Sequence, residues 1–221
     1  MSPRTTQGPG TRAELLEAAL FCFAERGYEG TSLRMVADRA GKHMSLIAHH
    51  FGNKDGLYKA VFEETLTRRG PYCFQGPVVP FEALQDDPER AATLIRELVI
   101  KVFLEMRTTF ACSDPQRIAG FRLWMNAVHA PLPDLEPLMK ERLSPLRLQF
   151  AACIQALRPD LPVAEIPFWC ALIYGQCLVN TMHHRFNTLV FGAESFPEDA
   201  TRMAEQIADI TLRAIGRPET T

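Results

Sequence analysis

Seven side chains within one short stretch carry the chemistry of this sequence: Arg34, His43, Met44, Ser45, His49, His50 and Lys54. Guanidinium, ammonium, hydroxyl and imidazole groups are those that reach phosphate oxygens and base edges, so the set points to nucleic acid. Thr31, Ser32 and Lys42 complete the candidate DNA-contact group. Lys42 can lay its aliphatic stem over apolar surface and send its ammonium to phosphate. His43, Met44 and Ser45 lead a short helix and are the candidates for reading bases. Lys54 follows Asn53, a good N-cap residue. The unpaired N–H groups of a new helix and a lysine together make a phosphate clamp.

Other chemistries fit less well. His49 and His50 are neighbours, about 100° apart on a helix, and no Cys or carboxylate stands three or four residues on to complete a tetrahedral metal set. His183 and His184 have the same defect. No G-x-S-x-G, phosphate-binding loop or dinucleotide-binding glycine run occurs, so no metal, cofactor or catalytic residue is assigned and the chain reads as a non-enzyme.

The elements that position these residues are legible around them. Thr11-Arg12-Ala13-Glu14 has the form of a capping box, opening a first helix whose apolar face is Leu15, Ala19, Cys22 and Phe23 and which Gly27 ends. Thr31 and Ser32 are both N-cap types ahead of Leu33, Val36, Ala37 and Ala40, and Gly41 supplies the left-handed stop. A second short helix fits His43 to His50, held by Leu46, Ile47 and Phe51. Two helices across a tight glycine-containing turn form a helix-turn-helix, whose second helix enters the major groove.

Arg12 to Lys54 resembles the DNA-binding domain of the TetR family of bacterial transcription regulators. The resemblance rests on Phe23-Ala24-Glu25-Arg26-Gly27-Tyr28, Thr31-Ser32-Leu33, Val36-Ala37, Ala40-Gly41 and, above all, His49-His50-Phe51-Gly52-Asn53-Lys54. It implies a homodimeric, ligand-responsive repressor that binds a near-palindromic operator on double-stranded DNA, with His50 and Lys54 gripping the phosphate backbone. Two positions depart from the pattern: Lys42 stands where a small apolar residue is usual, and Ala48 where tyrosine is common. They favour one alternative, a helical small-molecule-binding or scaffolding protein whose DNA-binding domain has decayed.

The expected architecture is all-α: an arm over 1–10 that is disordered in isolation, a three-helix reader over 11–54, and a helical effector-binding and dimerisation body over 55–217. Helix starts at Asp87-Pro88, Asp114-Pro115 and Ser195-Phe196-Pro197-Glu198 punctuate the body, and a long helix over 135–157 contains Pro145. Residues 71–87 read as an irregular connector. By resemblance the effector site lies in the body, with Phe103, Met106, Phe121, Trp124, Met125, Phe150 and Tyr174 as walls and Arg122, His129 and Gln176 as polar handles. Such a pocket would take a largely apolar small molecule. The last two helices, about 163–184 and 195–215, carry broad apolar faces that fit a two-fold dimer interface.

Composition agrees with this class. Of 221 residues, 47% are hydrophobic and 23% charged, the balance of an ordinary globular protein. Up to Gly70 there are 10 Lys+Arg against 8 Asp+Glu, a net +2; the remaining 14 against 18 give −4, so the positive part coincides with the reader. Six scattered cysteines without a C-x-x-C pair read as reduced, mostly buried thiols. The N-terminus lacks a hydrophobic signal core, and the richest apolar run, Phe168 to Val179, is too short for a bilayer. The expected location is the cytoplasm, away from membrane.

Overall fold

The computed structural model describes residues 9–69, 77–111, 113–129, 135–192 and 199–216. Among these the regular elements are all helical: α1 (Pro9–Arg26), α2 (Leu33–Ala40), α3 (Met44–Phe51), α4 (Lys54–Arg69), α5 (Pro88–Ala111), α6 (Pro115–His129), α7 (Glu136–Leu157), α8 (Ile166–Met182), α9 (His184–Phe191) and α10 (Ala200–Ile215). Single 3-10 turns cover Phe81–Ala83 and Val163–Glu165. The chain divides into two compact units, Met1–Gly70 with Cys112–Lys140, and Pro71–Ala111 with Glu141–Thr221.

In the first unit α1 opens at Pro9, two residues before the anticipated cap at Thr11. Proline suits a first helical position because its missing N–H is one the first turn leaves unpaired anyway. Of the expected N-terminal arm, Pro9 and Gly10 therefore belong to α1, while 1–8 lie outside the described residues. The core of this unit is built from Leu15, Ala19 and Phe23 of α1, Val36 of α2, Ile47 of α3, Leu57, Val61 and Phe62 of α4, and Leu123 of α6. α4 and α6 approach closely at Gly120, where a Cβ would stand 2.9 Å from the Thr65 methyl. One turn further on, Trp124 stacks on Phe62 with ring centroids 5.9 Å apart.

In the second unit α5 pairs with α8 and α10. Asp87 caps α5 through Arg90 N, 2.9 Å away. Asp199 caps α10 through Thr201 and Arg202 N–H groups, and Gly216 closes it in the left-handed conformation. The expected capping box at Ser195–Glu198 lies outside the described residues. Arg158 donates to the terminal Ile215 carbonyl at 3.0 Å while its other nitrogens bind Asp160, so one guanidinium seals the end of α10. Met203, Ala204, Ile207, Ala208, Thr211, Leu212 and Ile215 are buried within the subunit, so the apolar stripe of α10 is occupied by its own chain.

Gln149 is a fully buried amide on α7. Its Oε1 accepts from Val79 N at 2.6 Å and its Nε2 donates to Val79 O at 3.2 Å, so one side chain pins the connector before α5. Gln149→Leu leaves both Val79 groups without these partners and is expected to lower stability by about 1–3 kcal/mol in urea unfolding; no change would mean that water replaces the clamp. Burial pushes the thiols of Cys153 and Cys170 up to about 11 and that of Cys177 to about 12, which keeps them as neutral core groups.

α8 is rich in apolar residues and carries no charge. By length and composition alone Val163–Met182 could cross a bilayer, a longer apolar stretch than the Phe168–Val179 run read from the sequence. The helix has one covered and one open face: Ile166, Cys170, Ile173, Cys177 and Thr181 are buried, while Phe168, Leu172, Val179 and Met182 are exposed. α9, which the sequence reading did not anticipate, adds exposed Phe186, Leu189, Val190 and Phe191.

Candidate nucleic-acid interface

The turn between α2 and α3 is built by adjacent residues. Ser32 is the cap of α2, its Oγ accepting from Met35 N at 3.2 Å. Gly41 ends α2 at φ 61°, and its N–H and that of Lys42 return to the last carbonyls of α2. That conformation is open to glycine because it has no Cβ. His43 caps α3: its Nδ1 lies 3.4 Å from Ser45 N and 2.9 Å from Ser45 Oγ. Only Ile47 of α3 is fully buried. Met44, Ser45, Ala48 and His49 are exposed, at positions i, i+1, i+4 and i+5, so they share the outer face of the helix. Eight residues make a rod about 12 Å long, comparable with the width of a B-form major groove, about 12 Å. α3 contains no carboxylate.

The phosphate-clamp residues sit on the next turn. Asn53 Oδ1 accepts from Gly56 N at 2.8 Å, capping α4 as anticipated. Lys54 lies with Nζ 4.2 Å from the Tyr28 ring centroid, and the Tyr28 hydroxyl donates to Asp55. The aromatic face steadies the ammonium and the Tyr28–Asp55 bond fixes the ring. Tyr28, Asp55 and Arg12, whose guanidinium lies 5.4 Å from the Phe51 ring centroid, are supports that the sequence reading did not assign. No local pattern marks Tyr28 for this role, because its partners lie 26 and 27 positions away.

The remaining candidates fall into distinct situations. Arg34 is exposed, with Asp38 3.9 Å away on the same helix face. Thr31 is turned inward at 2% exposure: its Oγ1 lies 3.0 Å from Cys22 O and 2.8 Å from Gly27 O. Its hydroxyl ties α1 to α2, which removes that side chain from the contact set. Lys42 is half-buried, with Nζ 2.6 Å from Glu14 Oε2 on α1. His50 is half-buried too; its Nε2 is shielded and has no hydrogen-bond partner among the described residues.

The ten effector-site candidates divide between the units. Phe121, Arg122, Trp124, Met125 and His129 stand on α6 in the first, where Trp124 is buried and His129 Nδ1 lies 2.7 Å from Met125 O. Phe103, Met106, Phe150, Tyr174 and Gln176 stand in the second, the first three with no more than 2% exposure and the others half-buried. A cavity of about 230 Å³ in the second unit is lined by Ser144, Arg147, Leu148, Ala151, Ile166, Pro167 and Cys170, none of which is among the ten. Among the described residues no cluster suited to a metal ion occurs.

Comparison with known proteins bears on the same segment. The profile of "Bacterial regulatory proteins, tetR family" matches residues 15–61, which span α1 to α4. The chain is 39% identical, over 99% of its own length and 100% of the relative's, to the HTH-type transcriptional repressor AcnR of Corynebacterium efficiens. It is 42% identical to the HTH-type transcriptional regulator BetI of Burkholderia thailandensis over 66% of this chain and 71% of that one. A TetR transcriptional regulator from Agrobacterium tumefaciens has the same fold, with a TM-score of 0.56 at 18% identity over 93% of this chain and 94% of that one. A capped helix-turn-helix with an acid-free outer face, and a full-length relative at this identity, lead to one conclusion: the chain belongs to the tetR family of bacterial regulatory proteins and is a DNA-binding regulator of transcription.

Proposed function

We propose that two copies act together as a repressor, each placing α3 in one of two successive major grooves of a near-palindromic operator. The observation that carries this reading is the outer face of α3, with Met44, Ser45, Ala48 and His49 exposed and no carboxylate to repel phosphate. His43, Met44 and Ser45 read base edges; Lys54, Arg34 and the α4 N-terminus hold phosphate; Ser32 and His49 flank them. A largely apolar small molecule bound in the helical body releases DNA by favouring a state in which the two readers no longer match the groove spacing.

The test is fluorescence anisotropy with labelled duplex from upstream of the coding sequence and with an unrelated duplex, across a salt series. Lys54→Ala should weaken both duplexes alike and lower the salt slope by about one. His50→Ala should weaken both as well. His43→Ala should change the preference between duplexes by about 1–3 kcal/mol. If all three leave binding untouched, the reader is misassigned.

The alternative of a decayed reader has one observation in its favour: the Lys42 ammonium is held by Glu14 rather than left free. That reading requires wild-type protein to show no salt-dependent affinity for any duplex, which the same experiment measures.

A further inference from the structure

Glu14 belongs to α1, outside the helix-turn-helix. Because α1 opens at Pro9, Glu14 stands in the second turn, and its carboxylate is not taken up in capping the helix. Its Oε2 lies 2.6 Å from Lys42 Nζ, which ties α1 to the turn between α2 and α3. Lys42 directly precedes His43, the cap of α3, so its side chain leaves the backbone at the N-terminal end of that helix.

The pair is one of three. Arg34 has Asp38 3.9 Å away and Arg39 has Glu25 at 3.1 Å, so each Lys or Arg between Thr31 and Asn53 faces a carboxylate. Lys54, by contrast, rests on the Tyr28 ring. The Lys42–Glu14 contact is open to solvent, with 28% of the lysine side chain and 53% of the glutamate side chain exposed. A pair of that kind is weakly held and screened by salt. To reach a phosphate, however, Lys42 has to leave Glu14 unpaired beside the negative backbone, so the exchange brings no net gain.

We propose that Glu14 sets the sequence-independent part of DNA affinity: it holds the Lys42 ammonium back, and its loss adds one phosphate contact to every complex. The inference rests on the placement of α3 in the major groove given above. Base reading by His43, Met44 and Ser45 is untouched, so the preference between sequences stays as it is. Each added phosphate contact steepens log K against log salt by about 0.9 on duplex DNA.

Fluorescence anisotropy of the full chain, on the upstream duplex and on an unrelated one across a salt series, tests this. The variants are Glu14→Ala and the double variant Glu14→Ala with Lys42→Met. Alanine suits the interior of α1 and methionine keeps an unbranched apolar stem, so both proteins should unfold in urea close to the wild-type midpoint. Glu14→Ala should bind both duplexes about fivefold more tightly at about 0.1 M salt, with a slope steeper by about 0.9 and an unchanged ratio between duplexes. The double variant should return to wild-type affinity and slope, a non-additivity that marks the two side chains as one unit.

Unchanged affinity in Glu14→Ala would overturn the proposal. A gain that survives in the double variant would overturn it too, because repulsion by the carboxylate alone would then be the cause. A double variant with a slope about 0.9 shallower than wild type would show that Lys42 grips phosphate in spite of Glu14. Weaker binding of both duplexes with a lowered unfolding midpoint would make the pair a strut of the fold instead. Each of these results leaves the placement of α3 standing. Wild-type protein that binds neither duplex would remove that placement and this inference with it.

Discussion

Ile47→Asp is expected to abolish DNA binding of every kind and to cost the first unit more than about 4 kcal/mol. Ile47 is 0% exposed and is the one fully buried residue of α3; Leu46 and Phe51 beside it are only half-buried. A helix of eight residues is too short to hold its shape alone, so its angle on α2 and α4 depends on that single anchor. A carboxylate there must either carry its charge into the core or take a proton with no assigned partner, and both outcomes favour detachment. The readout is urea unfolding followed at Trp124 in a Trp169→Phe background, together with anisotropy on duplex DNA. Ile47→Val, which removes one methyl group, should cost about 0.5–1.5 kcal/mol and keep binding. If Ile47→Asp unfolds at the wild-type midpoint, α3 is held by something other than this side chain.

The dependence on one anchor explains why the reader was legible in the sequence. Its features are local: Ser32 to Met35, Gly41 to Ala37, His43 to Ser45 and Asn53 to Gly56 are bonds between residues two to four apart. N-cap and glycine signals encode such bonds directly. Thr31 and Ser32 were equivalent as cap types, and only the packed structure separates them, because the Thr31 hydroxyl has two carbonyls of α1 and its terminus to turn towards. Lys42 was read as a free cation for the same reason; Glu14, 28 positions earlier, becomes its neighbour only when α1 packs against the turn.

The body was legible to a lesser depth. Periodicity located α5, α6, α7 and α10 because each carries an apolar stripe, and it could not say what covers a stripe. The stripe of α10 was assigned to a second subunit and is buried by its own. α8, read as carrying a broad apolar face, has one side covered by its own unit and one side open. α9 escaped notice because it is only eight residues long, fewer than the window of about 11–18 over which a helical repeat declares itself. The expected pocket walls are all aromatic or sulfur-bearing, and three of them, Phe103, Met106 and Phe150, fill core in which they are no more than 2% exposed. Residue type does not distinguish a pocket wall from a packed interior.

Phe62→Ala is expected to destabilise the first unit by about 3–5 kcal/mol, the range for emptying a fully buried aromatic site. Phe62 is 1% exposed and stacks between Tyr58, 6.3 Å away, and Trp124, 5.9 Å away, so its loss opens a void bordered by two rings. The surroundings can close that void only slightly, because α4 and α6 already meet at Gly120 against the Thr65 methyl, where a Cβ would stand at 2.9 Å. The rings should couple by about 0.5–1.5 kcal/mol in a double-mutant cycle of Phe62→Leu with Trp124→Leu. Lys54 opens the helix that carries Phe62, and Tyr28, which steadies Lys54, also packs edge-on against Tyr58 at 5.2 Å. Measured at low temperature on folded protein, DNA affinity of Phe62→Ala should therefore fall far less than stability does. A variant that keeps its unfolding midpoint and loses affinity would show instead that Phe62 acts on the interface and not on the core beneath it.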